Sequence, residues 1–181
     1  GAGGCTASAS KVVTVNPLPT ASAGTPQTIC NGQSATLTAS GGGTYLWSTG
    51  ATTAFVSVSP ISSTTYTVTV TNAAGCTASS SVLVNVSPPP TASAGAPQSI
   101  CNGQSATLTA SGGGTYLWNT GATAASISVN PSTTTNYSVT VTSIVGCTAT
   151  ANTTVTVNTV PTANVSPPQT ICNGQSASLT A

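Results

Sequence analysis

The 181-residue sequence contains no aspartate, glutamate, histidine, arginine or methionine, and Lys11 is its one charged side chain. Without carboxylates or imidazoles there are no groups to pass a proton near neutral pH, so general acid–base catalysis has no participants. The same absence removes a two-carboxylate glycosidase site, a Ser-His-Asp triad, a histidine or carboxylate metal cluster and an acidic calcium loop. We therefore expect no enzyme activity, no catalytic residues, no cofactor and no metal. One lysine cannot neutralise a phosphate track, which excludes nucleic acid as a partner. No run of eighteen apolar residues is present, so no membrane span is expected in this segment. Residues 1–20 lack a basic start followed by an apolar core. A secretion signal is therefore expected to lie outside the segment.

What is present is mostly threonine, serine, alanine, glycine and valine, with a mean hydropathy of +0.25. Disordered chains combine low hydrophobicity with high net charge, the opposite of this balance. Of the abundant residues only alanine is a strong helix former, so the expectation is ordered β-structure.

The six cysteines reveal the organisation. Cys5 to Cys76, Cys30 to Cys101, Cys76 to Cys147 and Cys101 to Cys172 are each 71 residues apart. Whole segments follow the same period: Gln27 to Ser40 returns as Gln98 to Ser111 with Ser99 in place of Thr28, and a third copy opens at Gln169. A fixed period of this length means repeated domains. We expect the end of one repeat at 1–16, whole repeats at 17–87 and 88–158, and the start of another at 159–181. Pro17-Leu18-Pro19, Pro88-Pro89-Pro90 and Val160-Pro161 sit at the boundaries. Their fixed φ angles favour stiff, extended joints over a flexible tether.

Within 17–87 the apolar residues alternate with period two. Ala35, Leu37 and Ala39 form one set, Tyr45 and Trp47 the next, then Val56 and Val58, then Tyr66, Val68 and Val70, and last Val82, Val84 and Val86. Each set points to one face, and the intervening threonines and serines point to the other, as in antiparallel sheets with one wet side. Turns are supplied at Asn31-Gly32, Gly41–Gly43, Thr49-Gly50, Ser59-Pro60 and Ala73-Ala74-Gly75. The pattern predicts an all-β, immunoglobulin-like two-sheet sandwich of about seven short antiparallel strands, if the segment before Cys30 contributes a split edge strand. Trp47 on the third strand and Tyr66 at the start of the sixth, with Trp118 and Tyr137 in the next repeat, are the expected core aromatics. A 71-residue domain buries only about 60% of its unfolded surface, so neighbours or disulfides are expected to help it.

The run TASAGTPQTICNGQSATLTASGGGTYLWSTGATT, continued by Thr64 to Val86, resembles the PKD-like and Ig-like tandem repeats of giant cell-surface adhesins and gliding-motility proteins of Bacteroidota. The resemblance covers essentially the whole chain. It implies a secreted, extracellular array of sandwiches used for adhesion, gliding or fibre formation. Two departures limit it: the acidic turn residues of such domains are absent, and a Trp-Asp-x-Gly-type motif is replaced by Trp47-Ser48-Thr49-Gly50. No calcium function is carried over.

Regularly spaced cysteines in an exported repeat are expected to form disulfides, and zinc is disfavoured because there is no CxxC and no histidine. Two connectivities remain open. One is within repeats, Cys30–Cys76 and Cys101–Cys147, closing loops that would contribute about 3–4 kcal/mol. Its difficulty is that the two turns lie at opposite ends of an Ig-like sandwich, about 20–25 Å apart, whereas a disulfide needs Cα atoms within about 7 Å. The other is a staple between repeats, Cys30–Cys147. In both, Cys5 and Cys172 have partners outside the segment.

The leading functional expectation is a structural stalk or fibre that contacts neighbouring repeats and self-associates as a homo-oligomer or filament, because its strand edges carry no charged residues to discourage pairing. The alternative is an adhesive module, gliding-motility adhesins included, using loops such as Gly41–Gly43 and Thr49-Gly50 to bind surface glycans, although turn geometry explains those glycines. The Thr65, Thr67, Thr69, Thr71 row invites an ice- or mineral-binding reading, for which ordinary solvent-facing strand threonines are the simpler account. Asn85, Asn136, Asn152 and Asn164 begin N-x-Ser/Thr sequons. Lys11 aligns with Val82 and is given no function.

Overall fold

The computed structural model describes residues 3–179; Gly1, Ala2, Thr180 and Ala181, at the outer ends of the two expected partial repeats, lie outside it. Strands are the only regular elements among the described residues, which fall into two compact units that divide between Pro89 and Pro90.

The first unit carries β1 (Gln27–Cys30), β2 (Ala35–Thr38), β3 (Thr44–Trp47), β4 (Phe55–Val58), β5 (Thr64–Thr71) and β6 (Thr77–Ser87). Its larger sheet has the order β1-β6-β5-β3 and its smaller one pairs β2 with β4. β5 pairs antiparallel with β6 over eight positions, Thr64↔Val84 to Thr71↔Thr77, and β3 joins the far side of β5. β1 lies parallel to β6, Gln27↔Val84 to Cys30↔Ser87. Two sheets of this composition and order make an Ig-like β-sandwich. The second unit repeats it with β7 (Gln98–Cys101), β8 (Ala106–Thr109), β9 (Thr115–Trp118), β10 (Ser126–Val129), β11 (Thr135–Thr142) and β12 (Thr148–Asn158), in sheets β7-β12-β11-β9 and β10-β8.

The core is the apolar half of each alternation. Leu37, Trp47, Val68, Val70 and Val84 are almost wholly buried, with Ala35, Val58 and Val82 beside them; Tyr45, Val56 and Tyr66 pack half-buried around that cluster. Leu108, Trp118, Val139, Val141 and Val155 fill the same places in the second unit, where Ile127, Val129 and Tyr137 are also buried. Each valine so buried stabilises its sandwich by about 1.5–3 kcal/mol before entropy is counted.

Each unit has six strands and one further bridge, Ser22↔Ser40 or Ser93↔Ser111, which is all that remains of the outer half of the split edge strand. Gly24 takes a positive φ of 84° and Pro26 lacks an N–H, so the chain leaves that bridge before it can extend it. The segment between β3 and β4 stays a loop because Trp47 closes it. The Trp47 backbone N–H donates to the Ala51 carbonyl at 2.8 Å and its indole Nε1–H to the Thr53 carbonyl at 3.0 Å. Tyr66 therefore lies on the fifth strand rather than the sixth.

Residues 3–21 and 159–179 contain no strand. At the 71-residue offset, residues 6–16 match β6, a strand held between two others, and the residues that would match its partners β1 and β5 are not in the sequence. Lys11 is exposed.

Candidate functional site

With no ionisable cluster to organise a site, three features can carry function: the outer sheet face, the loops and the cysteines. No group of three or more potential metal ligands occurs among the described residues. On the outer face Thr65, Thr67, Thr69 and Thr71 stand opposite Leu83, Ser81, Ser79 and Thr77. Their hydroxyls pair crosswise, Thr67 with Ser81 at 2.8 Å and Thr69 with Ser79 at 3.1 Å. Two of these threonines become Asn136 and Ser138 one period later, where the Thr154 hydroxyl donates to Asn136 Oδ1 at 2.6 Å. Two of the four hydroxyls are thus paired within the sheet, and only Thr69 and Thr71 recur as threonine one period later, as Thr140 and Thr142. Of the sequon asparagines, Asn136, Asn152 and Asn164 are exposed and Asn85 is half-buried.

An open groove of about 230 Å³ on the same face is lined by Leu46, Trp47, Ser48, Thr67 and Thr69. Trp47 is only 2% exposed, so it offers a sugar no ring face. Phe55, 64% exposed, is the one exposed aromatic among the described residues, and Ser126 replaces it in the second unit.

The Gly41–Gly43 loop is committed to packing. A Cβ on Gly41 would strike the Thr20 carbonyl, and one on Gly43 the Thr71 carbonyl, so both glycines let two backbone segments approach at van der Waals range. In Trp47-Ser48-Thr49-Gly50 the Gly50 N–H donates to the Trp47 carbonyl at 2.8 Å, closing the turn.

The cysteines differ in state. Cys30 and Cys147 are disulfide-bonded; Cys5, Cys76, Cys101 and Cys172 are free thiols. The β1–β6 register sets Cys30 opposite Ser87, while Cys76 immediately precedes β6 at its other end. Eleven residues of extended strand separate the two levels by about 36 Å, beyond the 20–25 Å of a typical strand, because β6 is unusually long. The intra-repeat pairings Cys30–Cys76 and Cys101–Cys147 are incompatible with this geometry; Cys101, opposite Asn158, is as far from Cys147.

The turn before β6 is organised by Asn72, which the sequence pattern did not single out. Its Oδ1 accepts from the Ala74 and Cys76 N–H groups at 3.0 and 2.9 Å, and its Nδ2 donates to the Pro17 carbonyl at 2.9 Å. Cys76 Sγ lies 3.9 Å from the Asn16 carbonyl oxygen. This turn therefore touches the segment by which the chain enters the sandwich. The signal was available in Asn72-Ala73-Ala74-Gly75, an Asx-turn followed by glycine. In the second unit Ser143 does part of this work, its hydroxyl accepting from the Cys147 N–H at 3.1 Å. Gln27 was also missed: its Nε2 donates to the Thr36 carbonyl at 2.7 Å, tying β1 to β2 across the two sheets.

No protein-family model matches the chain, and no curated protein does. Solved structures similar to it are tandem immunoglobulin domains. A two-domain fragment of DIP-gamma is 14% identical, with 78% of this chain and 98% of that one covered and a TM-score of 0.41. An I-band fragment of titin is 15% identical, with 80% and 67% covered and a TM-score of 0.46. Hemolin, an insect immune protein, is 14% identical, with 78% and 47% covered and a TM-score of 0.40.

Proposed function

We propose that the chain is a structural stretch of an extracellular fibre or surface stalk in which consecutive sandwiches are bonded by a disulfide from Cys30 to Cys147. The observation that carries this reading is a shared neighbour. Cys76 sits against Asn16 where the chain enters the first sandwich. One period on, Cys76 becomes Cys147 and Asn16 becomes Ser87, and Ser87 is the residue that Cys30 faces across the β1–β6 register. If the joint between repeats follows the same pattern, Cys147 is expected beside the residue that Cys30 faces.

The bond closes a loop of about 117 residues, which in the chain-entropy account stabilises by about 5 kcal/mol. That is the help a marginal 71-residue sandwich needs. Disulfides persist outside the cytosol, and the resemblance to PKD-like surface repeats of Bacteroidota supports the same setting. Uncharged edges at β3 and β4 favour lateral assembly into filaments. Peptide mapping of the non-reduced chain tests the staple: a linked Cys30–Cys147 peptide is expected, and a Cys30–Cys76 peptide would overturn it.

A second reading, an adhesive module, rests on exposed Phe55, whose ring could pack against a sugar face. A glycan array that stays silent with this chain and with a Phe55→Ser control alike removes it.

A further inference from the structure

We infer that the Cys30–Cys147 bond takes the sandwich cores out of the path of an applied force, making the chain a tension-bearing element that does not unfold under load. The inference rests on the staple reading above and goes beyond it.

Tension travels through covalent bonds, and a segment spanned by a covalent cross-link is bypassed. Residues 31–146 lie inside the loop, and with them β2 to β6 and β7 to β11. Outside it remain only residues 17–29 of the first expected repeat and 148–158 of the second, about 24 residues. The second of these is β12, an extended strand of 11 residues that already spans about 36 Å. It bears load as it stands. The first ends in β1, held against β6 by its parallel register. Fully drawn out, the 24 residues measure about 85 Å. Without the bond each 71-residue sandwich has a contour of about 250 Å, and unfolding would release about 210 Å beyond the length the folded strands already span.

Continuing the 71-residue period extends the device. Cys101 holds the place of Cys30, and Cys76 that of Cys147. The next loop would therefore open at residue 101, before the first closes at 147. Consecutive loops overlap, so in such an array tension would cross from one staple to the next through the 46 residues between Cys101 and Cys147 rather than through a full 71-residue repeat.

Single-molecule pulling on the whole 181-residue chain tests this, with handles joined enzymatically at both ends so that no thiol is consumed. The oxidised chain is expected to show no unfolding step longer than about 90 Å. After a reductant, or in Cys30→Ser, two steps of about 210 Å are expected. The reductant arm needs no mutation, so a poorly folding variant does not decide the outcome. Steps of about 210 Å from oxidised chains whose linked Cys30–Cys147 peptide is verified overturn the inference and leave the staple standing. Absence of that peptide overturns both.

Discussion

Replacing Gly43 with alanine adds one methyl group where β3 leaves the Gly41–Gly43 turn and meets the end of β5. The new Cβ would overlap the Thr71 carbonyl oxygen and lie 2.8 Å from its carbon and 3.2 Å from Asn72 Cα, all backbone atoms that cannot rotate away. Relief requires opening the Thr44↔Thr71 pair that starts the β3–β5 ladder and loosening half-buried Tyr45 beside it. A lost ladder pair plus backbone strain costs about 3–4 kcal/mol. Gly42 is the control. Its φ of +67° is left-handed but nothing lies within 4 Å of its Cβ, so alanine there costs about 1–2 kcal/mol. A 71-residue domain holds roughly 4–10 kcal/mol in total, so Gly43→Ala leaves the first sandwich near its limit while Gly42→Ala does not. Each repeat has one tryptophan, Trp47 or Trp118, so fluorescence in urea under reducing conditions reports both units. At an m-value of about 1 kcal/mol/M the Trp47 transition should fall by about 3 M in Gly43→Ala and about 1 M in Gly42→Ala, with Trp118 unmoved. Equal shifts in the two variants would refute the packing argument, as would a different outcome for Gly114 and Gly113 in the second unit.

Four further outcomes follow from the same structure. Cys30→Ser should lower Tm by on the order of 10–15 °C in calorimetry without reductant, whereas Cys76→Ser, a free thiol, should leave it unchanged. Thr153 is 3% exposed with an unpartnered hydroxyl where the first repeat has Val82, so Thr153→Val should stabilise the second unit by about 1–2 kcal/mol in urea titrations. With no carboxylate or histidine side chain to bind protons differently in the folded and unfolded states, the unfolding free energy should change by less than about 0.5 kcal/mol between pH 3 and 7, because the linkage slope is close to zero. Ser57→Lys puts a charge on the exposed β4 edge; if the proposed lateral assembly occurs, light scattering and electron microscopy should show it lost in this variant while the fold stays intact.

The period-two pattern made the sandwich legible because each strand has one dry and one wet face. Leu37, Val68, Val70 and Val84 could be assigned inward from alternation alone, and all are buried. Strand number was less legible. Whether residues 48–54 add a strand depends on the Trp47 indole reaching the Thr53 carbonyl, a contact between a side chain and its own loop that no periodicity encodes. The cysteines were the least legible part. Expected topology alone already set Cys30 and Cys76 at opposite ends of a sandwich; the parallel register of β1 on β6 and the 11-residue length of β6 widen that separation. Parallel pairing between segments far apart in sequence leaves no local signature. Gln27 and Thr153 escaped for the opposite reason: each looks like an ordinary polar strand residue until its neighbours are known.

The missing charges also bear on the proposed meeting of copies at their strand edges. Sandwich proteins commonly protect an open edge with lysine or another charge. Here the edges are treated with neutral groups: the Gln27 amide covers the Thr36 carbonyl, the Thr53 hydroxyl donates to the Phe55 carbonyl at 2.6 Å, and Ser34 and Ser59 pair at 2.9 Å. Such groups satisfy individual carbonyls or one another but repel nothing, so a second strand can displace those on carbonyls and recover the same hydrogen bonds. Contacts made this way contain no ion pair for salt to screen. The proposed assembly through these edges should therefore persist from low to high ionic strength, and filaments that dissolve in 1 M sodium chloride would count against edge pairing as their basis.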